Sequence, residues 1–260
     1  MSSALYDALA DDYDAHFAVP HRAAYDLLAW EAVSAILPVQ PGVVIDAGCG
    51  VGRWAERLLA LGHQVVGVEQ APRMAAAARQ RLGAAPGFSL IEGDLAEVDD
   101  AALTDQAADV VLAIGSVQYT DRPGLAIARL ASWARPGGVL VVLVDSLVAL
   151  VLELVAAGRS DEAEQRAATR RGRWVEGGQE AELHLFDCAT LTEAFVAAGL
   201  VDVEVRGLLV GASAFGRAGL AHRLSEDGPA ALAEERRFSA MPALADTGKQ
   251  LLATGHRTAN

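Results

Sequence analysis

Val44-Ile45-Asp46-Ala47-Gly48-Cys49-Gly50-Val51-Gly52-Arg53-Trp54 is the stretch on which the fold turns. The apolar, β-branched run Val43–Ala47 has the composition of a strand buried on both faces. Three glycines at alternate positions follow it. Val51 to Leu61 then carries Trp54, Leu58 and Leu61 at helical spacing, with Gly62 to end the helix. Strand, glycine turn and helix begin a nucleotide loop, a methyl-donor loop or a plain tight turn alike. Gly48 and Gly50 let the chain turn sharply and approach a ligand with no Cβ in the way. The helix start that follows offers free N–H groups to an anion.

Outward from this stretch, strand and helix alternate. Gln64 to Val68 is a second buried strand, and Pro72 to Leu82 a helix with proline in its first turn. Phe88 to Ile91 and Asp109 to Ile114 read as strands. Pro123 to Ala134 reads as a helix, stopped by Pro136-Gly137-Gly138, and Val139 to Val144 as a fifth strand. Such alternation predicts an α/β fold with a parallel sheet and right-handed crossovers. Upstream, residues 3–18 and 21–36 read as two helical segments broken near Pro20. Downstream, Leu191 to Ala198 is a helix closed by Gly199, and Val201 to Val210 and Gln250 to Gly255 are strands. With no crossover signature between them, the last two strands are expected to pair antiparallel at one edge. The expectation is a single domain over residues 1–260 with a doubly wound, mostly parallel seven-stranded sheet. Residues 1–36 form a helical cap, 37–145 the cofactor-binding core, 146–188 a lid insertion and 189–260 the C-terminal part.

Composition excludes several functions. Apolar residues make up 52% of the 260, enough for a large core. No apolar run approaches the roughly 18 residues of a membrane span. Met1 to Asp14 holds four aspartates and no basic residue, unlike a signal or transit peptide, so a cytoplasmic protein is expected. A net charge of −13 opposes a nucleic-acid surface and an anionic membrane surface. The two cysteines, Cys49 and Cys188, give neither a disulfide framework nor metal spacing, and Cys49 serves as a small residue in the turn. Lys249 is the single lysine beside twenty arginines.

The ligand class follows from two positions. A dinucleotide fingerprint, Gly-x-Gly-x-x-Gly, would put its third glycine where Arg53 stands; here it comes one position early, at Gly52. Asp46, two residues before the first glycine, would repel a pyrophosphate and attract the ammonium and sulfonium of S-adenosylmethionine. With these features the sequence resembles the class I S-adenosylmethionine-dependent methyltransferases, whose first motif Asp46–Gly52 closely renders. The resemblance continues in order through Val65-Val66-Gly67-Val68-Glu69, Ile91-Glu92-Gly93-Asp94-Leu95, Asp109 to Tyr119 and Arg135-Pro136-Gly137-Gly138. It covers residues 40–145 and, more loosely, the terminal strand pair.

The resemblance implies a role for each matched residue. Glu69 ends strand two, where its carboxylate accepts from both ribose hydroxyls. Gln70 lies against the adenine. Asp94 accepts from the adenine amino group, and the Leu95 N–H donates to the ring. The Gly48 and Ile114 carbonyls take the methionine ammonium, and Asp46 orients the loop or a water. Tyr13, in Asp11-Asp12-Tyr13-Asp14, resembles an N-terminal element that closes over the cofactor; it otherwise reads as a half-buried helix tyrosine.

Residues beyond the matched core are candidates for the acceptor side. His184 alternates with Leu183 and Leu185 in an extended segment, sharing a face with Glu182 and Phe186. It is a candidate base for an oxygen nucleophile, or an exposed lid histidine. Arg166, Arg170, Arg171 and Arg173 form a basic island that receives an acidic substrate group or pairs with Glu162 and Glu164. His16, His21 and Arg22 read as solvated helix residues. No metal is expected, since no paired aspartates follow strand four. The acceptor is expected to be a small molecule or peptide, and the protein a monomer or homodimer. The alternatives are a nicotinamide-dependent oxidoreductase and a non-catalytic S-adenosylmethionine-binding subunit.

Overall fold

The computed structural model describes residues 2–176 and 178–259. Met1, Gly177 and Asn260, which fall within the segments assigned from sequence, lie outside the described residues. The chain opens with α1 (Ser2–Leu9), α2 (Tyr13–His16) and α3 (Pro20–Ser34). The first expected helix is thus two short ones: the Asp11-Asp12 pair favours a turn over a helix interior. Next come β1 (Val43–Ala47), α4 (Arg53–Ala60), β2 (Gln64–Glu69), α5 (Pro72–Leu82), β3 (Phe88–Glu92), α6 (Asp100–Thr104) and β4 (Ala108–Ile114). The chain continues with α7 (Pro123–Trp133), β5 (Ala134–Asp145), α8 (Leu147–Ala156), α9 (Ser160–Thr169), β6 (Arg171–Glu176) and β7 (Gln179–His184). It closes with α10 (Cys188–Ala197), β8 (Leu200–Leu208), α11 (Val210–Glu226), α12 (Gly228–Ser239) and β9 (Gln250–Arg257).

Seven strands form one sheet in the order β3-β2-β1-β4-β5-β9-β8. The first five run parallel, and β9 runs antiparallel to both β5 and β8. Strand order reverses between β1 and β4, where an open α/β sheet leaves its crevice. The glycine turn after β1 and the segment after β4 both open into that crevice. The sheet's apolar side chains divide between two clusters. Ile45, Val68, Val111 and Val142 pack in one with Ile127, Trp133 and Phe195, while Val44, Val65, Leu112 and Leu143 pack in the other with Val33 and Leu58.

Two departures from the sequence reading have plain causes. Strand β5 starts at Ala134, so Pro136-Gly137-Gly138 lies inside it and does not end the preceding helix with a loop. The register shifts opposite Ala108/Val110, and a Cβ on Gly138 would fall 2.9 Å from the Ala108 and Arg135 carbonyl oxygens. Glycine at 138 therefore permits the irregular strand. The 146–188 segment holds two helices and an antiparallel hairpin, β6 with β7, that forms its own sheet beside the main one. Phe186 does not share the exposed face of β7: the strand has ended, Phe186 bridges to Ser146, and its ring joins the core.

Candidate functional site

The glycine turn is built for positive φ. Gly48, Gly50 and Gly52 sit at φ of 86°, 55° and 82°. A Cβ on Gly48 would fall 2.5 Å from the Ser116 side chain, and one on Gly52 2.8 Å from Leu82. Gly52 therefore serves the packing of α4 on α5, away from any ligand. Gly50 has only Tyr13 at 4.0 Å before its Cβ position and so leaves the crevice open. Cys49 is buried with its Sγ against Gly67, which fits its reading as a small residue.

Four N–H groups of the turn are already committed. Gly48 and Cys49 donate to the Val68 carbonyl, Gly50 donates to Glu69 Oε2 at 2.8 Å and Gly52 donates to the Cys49 carbonyl. A pyrophosphate would need these donors and would lie against Glu69 and Asp46. The loop does not fit a dinucleotide. Glu69 Oε1 also accepts from Ala71 N at 2.8 Å, and the carboxylate has capacity left for a further donor such as a hydroxyl. Burial raises its pKa, and the N–H bonds from Ala71, Gly50 and Gln70 draw it back.

Asp46 is 2% exposed, and its Oδ2 has no hydrogen-bond partner. Burial first, and then the Glu69 charge, push its carboxyl up to about 7. A buried acceptor of this kind suits a cationic ligand group or a water beside it. Asp94 turns its own loop, Oδ1 accepting from Ala96 N at 2.8 Å. Arg129 fastens that loop from α7, donating to Asp100 and to the Ala96 and Val98 carbonyls.

These residues line a cavity of about 700 Å³, within the range of ligand pockets. Tyr13, Gly48, Gly50, Glu69, Gln70, Asp94, Leu95 and Ile114, all expected from sequence, face it together. Asp46 lies behind the turn and Gly52 beneath it. Tyr6, which no motif signalled, also lines it, as do Ser116 and Tyr119, which lie in the matched Asp109–Tyr119 stretch but had no role assigned.

A second cavity, of about 260 Å³, adjoins the first through Tyr6, Tyr13, Ile114, Gly115 and Tyr119. Its floor is the strand-end edge of the sheet, with Leu143 and Asp145 of β5 and Lys249 and Gln250 at the start of β9. Its roof comes from α2 and α3 (His16, His21, Arg22, Tyr25) and from the β6–β7 hairpin (Trp174, Leu183, Leu185). Residues 209–217 add Leu209, Ala212 and Arg217. Residues from 1–36, from 146–188 and from 209–217 therefore all contribute to the walls of the second cavity. Arg53, which replaces the dinucleotide glycine, ties the cap to the loop: it donates to Asp14 and Asp26 at 3.0 Å each.

His184 lines neither cavity, whereas Leu183 and Leu185 on either side of it face the second. The alternation expected of β7 places those leucines inward and turns His184 to the Asp121 backbone, to which its ring hydrogen-bonds. Tyr13 lies at the junction of the cavities. Burial, opposed by Arg53 and reinforced by Glu69, pushes its hydroxyl up to about 12, so it keeps its proton near neutral pH. His16 does enter the second cavity. Its Nδ1 lies beside both the Arg22 guanidinium and, at 3.5 Å, the Glu176 carboxylate. Burial and Arg22 hold its pKa below the ordinary value.

Asp145 is the carboxylate among the described lining residues of the second cavity. Gln118 grips it from both sides, accepting from Asp145 N at 2.7 Å and donating to Oδ2 at 3.3 Å, and Gln250 donates to Oδ1 at 3.4 Å. The basic island is spent on ion pairs: Arg166 with Glu162, Arg170 with Asp187, Arg171 with Glu182 and Arg173 with Glu180. Among the described residues no group of three or more His, Cys, Asp or Glu could hold a metal ion. None of the described helices is long and apolar enough to cross a membrane.

A family model described as a methyltransferase domain matches residues 45–142. A malonyl-[acyl-carrier protein] O-methyltransferase of Halalkalibacterium halodurans is 27% identical over 104 residues, 39% of this chain and 38% of that protein. A ribosomal RNA small subunit methyltransferase H of Myxococcus xanthus is 44% identical over 72 residues, 28% of this chain and 24% of that one. The chain thus spans under half the length of these curated relatives. Among solved structures, a methyltransferase of Thermotoga maritima described as a possible histamine N-methyltransferase superposes with a TM-score of 0.60. It is 19% identical, over 97% of this chain and 98% of that one, a likeness of fold.

Proposed function

We propose, from the premise that residues 45–142 belong to the class I S-adenosylmethionine-dependent methyltransferases, that this chain methylates a small acceptor held in the second cavity. The observation that carries the reading is the pair of adjoining cavities: one framed by the glycine turn, Glu69 and Asp94, the other roofed by cap and lid. A cavity of about 260 Å³ suits a metabolite better than a folded macromolecule.

The residues present fit the donor. Asp46 Oδ2 has no hydrogen-bond partner, and the Glu69 carboxylate, with three backbone donors, keeps acceptor capacity for a hydroxyl. When bound, S-adenosylmethionine supplies a methyl group already activated by a sulfonium leaving group. Glu69 would then hold the ribose, Asp94 and Leu95 the adenine, and the Gly48 and Ile114 carbonyls the ammonium. Tyr6, Tyr13 and Tyr119 close the junction and keep water out, a requirement for a dry transfer. The nucleophile needs aligning more than activating. Asp145, held between Gln118 and Gln250, would accept the acceptor's N–H or O–H and take its proton. It takes the role expected of His184, which the fold turns away.

The test pairs binding with turnover. Calorimetry should detect S-adenosylhomocysteine, and tritiated donor should label an acceptor from a panel of phenols, amines and carboxylates. Asp145→Asn should lower kcat by about 10²-fold or more, with donor affinity unchanged. A protein that ignores S-adenosylhomocysteine, or an Asp145→Asn variant of wild-type kcat, refutes the reading.

A further inference from the structure

Among the described residues, four cations and one carboxylate, Asp145, line the second cavity of a chain whose net charge is −13. Arg22, Arg173, Arg217 and Lys249 line it. Arg22 and Arg173 each have a carboxylate of their own, Glu176 and Glu180, both at 3.3 Å. Arg217 and Lys249 do not. They converge on the single carboxylate of Glu153, at 3.2 Å and 2.6 Å, which leaves one positive charge uncompensated. Lys249 is the sole lysine of the chain, and its side chain is only 17% exposed. His21 stands beside the same cations, and no ion pair among the described residues reaches them from Asp145.

Sheet order gives this charge a position. The donor cavity reaches the second cavity at the end of β4, at Ile114 and Gly115. Asp145 ends β5, one strand over, and Lys249 precedes β9, one strand beyond that. Neighbouring strands lie about 5 Å apart, so the cationic pole lies roughly 10 Å across the sheet from the methyl-donor end, with Asp145 about midway.

We infer that the acceptor of the proposed transfer carries a carboxylate, which Lys249 and Arg217 receive while Asp145 holds the nucleophile. This rests on the methyltransferase reading and adds the acceptor's class. The nucleophile and the carboxylate then sit about one strand spacing apart, as across a small aromatic ring. Tyr6, Tyr119 and Trp174 suit such a ring: Tyr6 packs edge to face on both of the others at 5.5 Å, and Tyr119 lies tilted to Trp174 at 6.4 Å. Neutral His21 adds a polar contact at the pole.

The test uses the full chain saturated with S-adenosylhomocysteine and three matched probes: 4-hydroxybenzoate, 4-hydroxybenzamide and 4-hydroxybenzylamine. Calorimetry should rank the carboxylate first by about tenfold or more. Lys249→Met leaves Arg217 and Glu153 as a balanced pair, so the variant should fold; it should weaken 4-hydroxybenzoate about tenfold and leave the amide unchanged. Lys249→Arg should restore binding, and Glu153→Gln, which frees both cations, should tighten it. Bound S-adenosylhomocysteine with no preference for the carboxylate, or a preference that survives Lys249→Met, overturns the inference alone. Absent S-adenosylhomocysteine binding overturns the methyltransferase reading and the inference with it.

Discussion

Asp46→Asn should stabilise the ligand-free protein at alkaline pH while weakening the donor. The carboxyl stands at about 7, against an ordinary 3.8, because it is buried beside Glu69. Between those values the native state keeps a proton that the unfolded chain releases, so raising the pH favours unfolding. The favourable contribution of protonated Asp46 is complete below about pH 4 and is lost as pH climbs through about 7. The full penalty is on the order of 4 kcal/mol, and the part falling between pH 5 and pH 8 is about 2–3 kcal/mol. Asparagine has no charge to lose, so urea unfolding should show the variant gaining about 2–3 kcal/mol on the wild type between pH 5 and pH 8. Comparing the same two proteins at both pH values cancels whatever the amide itself costs. The charge that orients the glycine turn or a water beside the donor's ammonium would be lost, so affinity for S-adenosylhomocysteine should fall about tenfold at pH 8. A stability difference that is the same at both pH values would refute the assignment of the buried charge to Asp46. Unchanged donor affinity would remove it from the cofactor site.

Glu69→Ala deprives the ribose of a charged acceptor and leaves Gly50 N and Ala71 N without theirs; donor affinity should drop by about 1.5–3 kcal/mol in calorimetry on a protein that still folds. Turnover should persist in EDTA, and an assay that dies on chelation and revives with magnesium would contradict this. Deleting residues 1–18 removes Tyr6, Tyr13 and His16 from the cavity walls and should abolish turnover, with only a modest loss of donor affinity. Hydrogen exchange should show residues 1–36 and 147–188 protected when S-adenosylhomocysteine is added, since lids belong to the less stable parts of a fold.

The frame of the first cavity was legible because it is local in the chain. The short turn Asp46–Gly52 carries its own backbone demands, and Glu69, Asp94 and Ile114, which line that cavity with it and whose proposed roles came from the family resemblance, stand at or just past strand ends that hydrophobic periodicity marks. The alternation of strand and helix implied a parallel sheet, and the missing crossover signature an antiparallel strand pair at its edge. Periodicity could not see that Pro136-Gly137-Gly138 lies within β5, because an irregular strand and a loop ask for the same residues.

What only the tertiary structure decided is the second cavity. His16, Asp145, Trp174, Arg217 and Lys249 come from five separate segments, and nothing in their spacing relates them. Lys249 reads in sequence as a lone lysine before a strand, and Asp145 as the last residue of one. They become neighbours because β9 inserts between β5 and β8, a pairing set by non-local hydrogen bonds. His184 shows the converse: its alternation with two leucines was plain in the sequence, but which face looks into the cavity depends on where the hairpin docks. Sequence fixes a side chain's relation to its neighbours along the chain, and packing alone fixes which side of that pattern meets the ligand.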